Sequence, residues 1–382
     1  MFKVRTSVYA LSMIAIFAMA SYSASLTDSL KSGSADLKSA NVMTFGPEGV
    51  LFVGDSLGGA LYAFDTQDRT PSKGGPVDIK GINGKIAAML GTTPDEVSIN
   101  DLKVNPISKN MYLAVSRGRG PAAVPVILRV DARGKIEELA TNHVPYSKVM
   151  LADAPRDQDL GIHPLLIKGG NPRLEAISYL AYVNGKVLVA GLANEEFTSA
   201  LRVFPFPFEQ ATKAATVEIW HAGHGRFETQ SPINTFVPYT IKGEQYILAA
   251  YTCQPLVKIP VASIKPGAKI RGTTIAELGG GSRPYDMIAY SKNGHNYFLM
   301  STSNRGVLKI SADGIESYEP ITKPVDDITG VRYETVSELQ GIARPMTVPV
   351  GVFQLDKFDD KTAAIVWRTG SGSMDLKTIA LP

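Results

Sequence analysis

Cysteine is almost missing from this 382-residue sequence: Cys253 is the only one. No internal disulfide can form, so an extended apolar core must carry the stability. The lack of any C-x-x-C-H run excludes a c-type haem. Net charge is nearly missing too. There are 39 basic against 36 acidic residues, and two of the basic ones, Lys3 and Arg5, lie in the N-terminal leader, leaving 37 against 36. That balance excludes the basic surface a nucleic-acid binder needs to neutralise phosphates. No P-loop, G-x-G-x-x-G, G-x-S-x-G or H-E-x-x-H occurs, so no nucleotide cofactor is expected and no catalytic residue can be assigned. Apolar runs long enough to span a membrane are lacking.

What is present begins at the N-terminus. Lys3 and Arg5 precede an apolar run over residues 8–20 that ends in Ala18-Met19-Ala20. A positive start, an apolar stretch of about 13 residues and an A-x-A site form a cleaved signal peptide. The expected organisation is a signal peptide over residues 1–20 and a single domain over 21–382, periplasmic or secreted.

The rest is a repeat. An apolar strand, a tight turn, a very apolar strand, a polar loop and a third strand recur six times, with the 35 Gly and 24 Pro supplying the turns. The first unit uses residues 41–45, 50–53 and 60–64. Later units begin at residues 101, 176, 235, 287 and 350. Fourth, outer strands are visible at 135–139 and 216–220. Spacing of roughly 50–80 residues suits an all-β, six-bladed β-propeller with four-stranded antiparallel blades. The sixth unit ends after three strands, and residues 35–39 are expected to supply its fourth and close the ring. Residues 84–96 read as a short helical insertion, with Thr93-Pro94-Asp95-Glu96 as a second helix start. Long connections over 139–174 and 316–349 are expected to be functional.

The stretch Phe45-Gly46-Pro47-Glu48-Gly49-Val50-Leu51-Phe52-Val53-Gly54-Asp55, with Leu61-Tyr62-Ala63-Phe64-Asp65 after it, resembles blades of the SMP-30/gluconolactonase and NHL-repeat propellers. The resemblance is strong over one blade and holds for the others by pattern. It implies a channel metal held by acidic and amide side chains from several blades.

Three groups of residues could carry chemistry. In a propeller, the loops between second and third strands and the connections between blades share one face. Arg117, Arg119, Arg226, Arg283, Arg305 and Arg368, with His221 and His224, fall on that face. Converging guanidinium groups suit a small carboxylate or phosphate; solvated surface ion pairs are the alternative. Asp101, Glu175, Asn234 and Asp286 recur near the starts of inner strands, and an oxygen-only set would favour Ca²⁺; turn capping is the alternative. The run His221-Ala222-Gly223-His224-Gly225-Arg226-Phe227-Glu228 could bind Zn²⁺ or Cu²⁺, and with Cys253 would make a His₂Cys set; Cys253 simply packing is the alternative.

Two functional readings survive. One is an exported protein that binds a small anionic molecule, or a periplasmic partner protein, through the loop-bearing face. The other is a Ca²⁺-dependent hydrolase or lactonase. The first is preferred, because no acid–base pair is placed by the pattern.

Overall fold

The computed structural model describes residues 25–161, 170–340 and 350–382. The leader expected over residues 1–20 lies outside them, as do 162–169 and 341–349 of the two long connections. The described residues form a six-bladed β-propeller, its blades numbered I to VI in chain order.

Turn chemistry builds the blades. The inner hairpins of blades III, IV and V turn on Asn184-Gly185, Lys242-Gly243 and Asn293-Gly294, and both residues of each pair have positive φ. Two left-handed residues match the right-handed twist of the strands they join. In blade I the second and third strands, Val50–Asp55 and Ala60–Asp65, are buried along their whole length, as expected of strands covered on both faces.

Each blade buries its faces against its neighbours. Six apolar clusters join blade pairs I–III, III–IV, IV–V, V–VI, VI–II and II–I. The order around the ring therefore departs from the order along the chain, since blade II lies between blades VI and I. After the third strand of blade I, the chain lays Asp78–Ile79 against the third strand of blade VI, pairing Ile79 with Leu376. It then forms the helix Ile82–Leu90, whose Ile82 and Ile86 pack into the cluster between blades II and VI. Blade II comes next, from Val97–Val104 to Ile136–Glu138. The chain returns as Pro145–Met150 to pair with Ala60–Asp65 and complete blade I.

Two expectations are corrected. The ring is closed by Asp78–Ile79 rather than by residues 35–39, which form no strand. That segment is fixed instead by the Asp55 carboxylate, which accepts from the Lys38 and Ser39 backbone N–H groups at 2.9 and 2.8 Å. The helical insertion stops at Leu90 because Gly91, with φ 65°, ends it in the left-handed conformation. The expected second helix is a single 3₁₀ turn, Pro94–Glu96.

The connections are used structurally. Pro145–Met150 lies in the first long connection. Thr329–Gly330 and Tyr333–Thr335 in the second add strands to blades IV and V. No described helix is long and apolar enough to cross a membrane.

Candidate functional site

The inner strands are latched to one another by carboxylates. Asp286 of blade V accepts from the Leu355 N–H of blade VI at 3.0 Å. Asp356 of blade VI accepts from the Val104 N–H of blade II at 2.7 Å. Asp101 of blade II accepts from the Met43 N–H of blade I at 2.5 Å. One cation serves this set. Lys103 Nζ is 2.9 Å from Asp101 Oδ1 and 3.6 Å from Asp286 Oδ1, and it lies 5.3 Å from the centroid of the Tyr179 ring.

Three carboxylates share that ammonium in a buried setting. Burial pushes Asp101 up to about 7 and Asp356 up to about 6, and it raises Asp286 as well. Burial works against the charge on Lys103, but Asp101, Tyr179, Asp286 and Asp356 outweigh it and hold the lysine well above its ordinary value. Of the four residues expected to hold Ca²⁺, Asp101 and Asp286 face Lys103. Glu175 is fully buried with neither oxygen hydrogen-bonded, and its charge acts on Arg283. Asn234 donates from Nδ2 to Thr252 Oγ1 at 3.0 Å, and its Oδ1 has no partner. Sequence reasoning misses Lys103 and Asp356. The alternation of Asp101 and Lys103 on one strand is the available signal.

Beside this network opens a pocket of ≈ 1250 Å³. Every blade contributes to its wall, through Val42, Asp101, Tyr179, Asn234, Asp286 and Gln354, so it lies on the axis. Arg283, Tyr285, Phe353 and Arg119 line it as well. The Tyr285 and Phe353 rings stack at 5.2 Å and 20°, and the Arg368 guanidinium lies 5.8 Å from the Phe353 centroid. Burial pulls Arg283 and Arg368 below the ordinary arginine value, and Arg119 lowers Arg368 further. Arg283 Nε is buried without a hydrogen-bond partner, as is Arg368 Nε.

Of the other expected anion-binding residues, Arg119 alone also lines this mouth. Arg117 is exposed and reaches Leu90 O at 3.4 Å. Arg119 is anchored to Asp95 O and Ser98 Oγ. Arg226 is exposed and donates to Glu228. His221, His224 and Arg305 line a second pocket of ≈ 410 Å³, together with Cys253, Glu277 and residues of the 316–349 connection.

That second pocket is built by a hairpin. His221 ends the outer strand of blade III, Ala215–His221. After the turn Ala222–His224, Gly225 at φ 61° sends the chain back as Arg226–Glu228, pairing Arg226 with His221. Glu228 receives His221 Nδ1 at 2.9 Å and His224 Nδ1 at 2.7 Å. Burial opposes its charge, but these two bonds, with that from Arg226, outweigh burial and hold the carboxyl down at about 2. Glu277, ending the outer strand of blade IV, accepts from the Ala222 and Gly223 N–H groups at 2.7 and 3.3 Å. Burial raises its pKa. Cys253 enters from the loop between the second and third strands of blade IV. Cys253 and Gln254 are both left-handed, at φ 64° and 63°, which costs about 1–2 kcal/mol per non-glycine residue.

No protein-family model matches the chain, and no curated protein matches it. Among solved structures it is similar to hydrazine synthase from Kuenenia stuttgartiensis, at 12% identity and a TM-score of 0.38, over 91% of this chain and 97% of that one. It is also similar to an endo-arabinanase from Bacillus licheniformis, at 11% identity and a TM-score of 0.40, over 74% and 94%. A mannose phosphorylase from Leishmania mexicana matches at 12% identity and a TM-score of 0.38, over 75% and 83%. Similarity at this level bears on neither ligand nor activity.

Proposed function

We propose that this is an exported binding protein that takes a small anionic molecule into the axial mouth of the propeller. The observation that carries the reading is Arg283, which lines the axial pocket with a buried Nε that has no hydrogen-bond partner. A buried, unpaired donor is costly, and a charge-assisted bond to a carboxylate or phosphate oxygen would recover that cost. Tyr285 and Phe353 supply an adjoining flat aromatic wall, which favours an anion carried on a ring or other planar group. Asp101 and Asp286 reach the wall of this pocket but are buried beside Lys103, so binding is preferred over hydrolysis.

Calorimetric titration with a panel of carboxylates and phosphate esters tests this. A ligand of the panel should bind with one-to-one stoichiometry, and Arg283→Gln should weaken it at least about tenfold, the loss of one charge-assisted hydrogen bond. Arg226→Gln, outside the pocket, should leave affinity unchanged. No binding across the panel, or equal binding by Arg283→Gln, overturns the reading. Export is tested separately. Intact-mass measurement of protein from the periplasm or medium should show loss of residues 1–20, and a cytosolic protein retaining them overturns it.

A further inference from the structure

We infer that His221, His224 and Cys253 form a mononuclear site for a transition-metal ion of borderline softness, Zn²⁺ or copper, with Glu277 as an oxygen donor at its edge. This site is separate from the axial pocket and does not depend on the anion-binding reading.

The first argument is geometric. One ligand atom from each of the three side chains lies within 4.8 Å of the others, and they are the one such group of His, Cys, Asp and Glu side chains among the described residues. Small adjustments bring such a set onto one ion at metal–nitrogen distances of about 2.0–2.1 Å and metal–sulfur distances of about 2.3 Å. Glu277 Oε2 is 3.9 Å from His221 Nε2, close enough to join the same ion directly or through water.

The second argument concerns the histidine tautomers. Glu228 is bonded to Nδ1 of both rings at once. A carboxylate can only accept, so both rings carry a proton on Nδ1, and Nε2 is the nitrogen left to a metal in each neutral ring. Metal-binding histidines are held in this way by outer carboxylates, which orient the ring and raise its basicity. A surface ion pair has no need for one carboxylate to hold two rings with centroids 3.8 Å apart.

The third argument is how the fold fixes the donors. Glu277 Oε1 holds the Ala222–Gly223 backbone, so the two histidines are set from blade IV as well as blade III. The Cys253 N–H donates to Ser282 O at 2.8 Å, and the consecutive left-handed residues turn the thiol into the pocket shared with His221 and His224. Residues 325–328 complete the pocket wall, with Val325 N–H bonded to Ala222 O at 3.1 Å. His224 stays exposed, leaving an entry path. Thiolate with imidazole selects zinc or copper over calcium or magnesium.

The test uses the full chain, stripped with chelator and titrated with Co²⁺, Cu²⁺ and Zn²⁺. One equivalent of Co²⁺ should give an intense tetrahedral thiolate spectrum that one equivalent of Zn²⁺ bleaches, and Cu²⁺ should give a visible thiolate-to-copper charge-transfer band. Cys253→Ser should abolish both bands. Glu228→Gln should keep them and weaken Zn²⁺ binding about 10–100-fold, the usual cost of losing an outer carboxylate. Should Cys253→Ser not fold, wild-type alkylation decides: Zn²⁺ must protect Cys253 from iodoacetamide. Bands absent in wild type, bands persisting in Cys253→Ser, or equal alkylation with and without Zn²⁺ would each overturn the proposal. Metal analysis of the chain as purified separates zinc from copper.

Discussion

Lys103 and Asp101 stand two residues apart on the inner strand of blade II, on one face, and their charged groups meet at 2.9 Å in the buried interior. Alternation along a strand makes this contact local, but its consequence reaches across the ring, because the same ammonium also acts on Asp286 and Asp356. Asp101, raised to about 7, and Asp356, raised to about 6, bind protons more tightly in the folded chain than in the unfolded one. Their protonated forms therefore favour folding, and that contribution is lost as pH rises from the ordinary carboxylate range through about 7. Lys103 offsets the loss by stabilising the ionised forms. Lys103→Met should then cost about 3–5 kcal/mol at pH 8, the usual cost of breaking a buried pair, and clearly less at pH 5. Denaturant melts at both pH values check this, and an equal loss at the two would refute it.

Ring closure rests on a very short strand. Asp78–Ile79 pairs with Leu376 and Lys377, Thr378 N–H donates to Val77 O at 2.9 Å, and Ile79 packs against the cluster joining blades II and VI. Ile79→Asp would place a charge at that seam. It should lower stability by about 1–3 kcal/mol, whereas Lys38→Ala, exposed in the segment that forms no strand, should cost under about 1 kcal/mol. Thermal melts of the two variants discriminate. Comparable losses would mean that the seam is held elsewhere.

The blades are legible in the sequence because their signal is local. A third strand expected over 60–64 is observed as Ala60–Asp65, and an outer strand expected over 216–220 is observed as Ala215–His221. The order of the blades is not legible, because every blade offers its neighbours the same kind of apolar face. Nothing in Pro145–Met150 marks it as part of a blade begun before blade II, and two residues such as Asp78–Ile79 carry no periodicity. At the sites the same limit holds. His221, His224 and Glu228 lie close in sequence and can be grouped, but only the packing of blade IV against blade III brings Cys253 and Glu277 to them. Lys103 escapes notice because lysine is so rarely buried.

The aromatic wall of the axial pocket predicts selectivity. Phe353 is stacked on Tyr285 and lies beneath Arg368, so Phe353→Leu removes a ring while keeping an apolar side chain. Loss of one aromatic contact is worth about 0.5–1.5 kcal/mol. Binding of ring-bearing carboxylates should weaken by about 2–10-fold, while acetate should be unaffected. Competition titrations measure the ratio, and an equal change for both ligands would remove the wall from the recognition surface.

Where the chain leaves the outer strand of blade I for blade III, Asp153 meets Arg202. The Arg202 side chain, fully buried on blade III, donates from Nε to Asp153 Oδ1 at 2.8 Å and from Nη2 to Leu192 O at 3.0 Å. Asp153 Oδ2 accepts from the Ala214 N–H at 2.6 Å. Burial pulls Arg202 below the ordinary arginine value and Asp153 opposes it, so the guanidinium stays charged at neutral pH with one carboxylate as its partner. Asp153→Ala leaves that charge uncompensated and also frees the Ala214 N–H. It should destabilise by about 3–5 kcal/mol. Arg202→Met with Asp153→Asn removes both charges and keeps an amide oxygen for Ala214, so the double variant should lie well above the single one in denaturant stability. A double variant as unstable as Asp153→Ala would show that the hydrogen bonds to Leu192 and Ala214, rather than the ion pair, hold this connection.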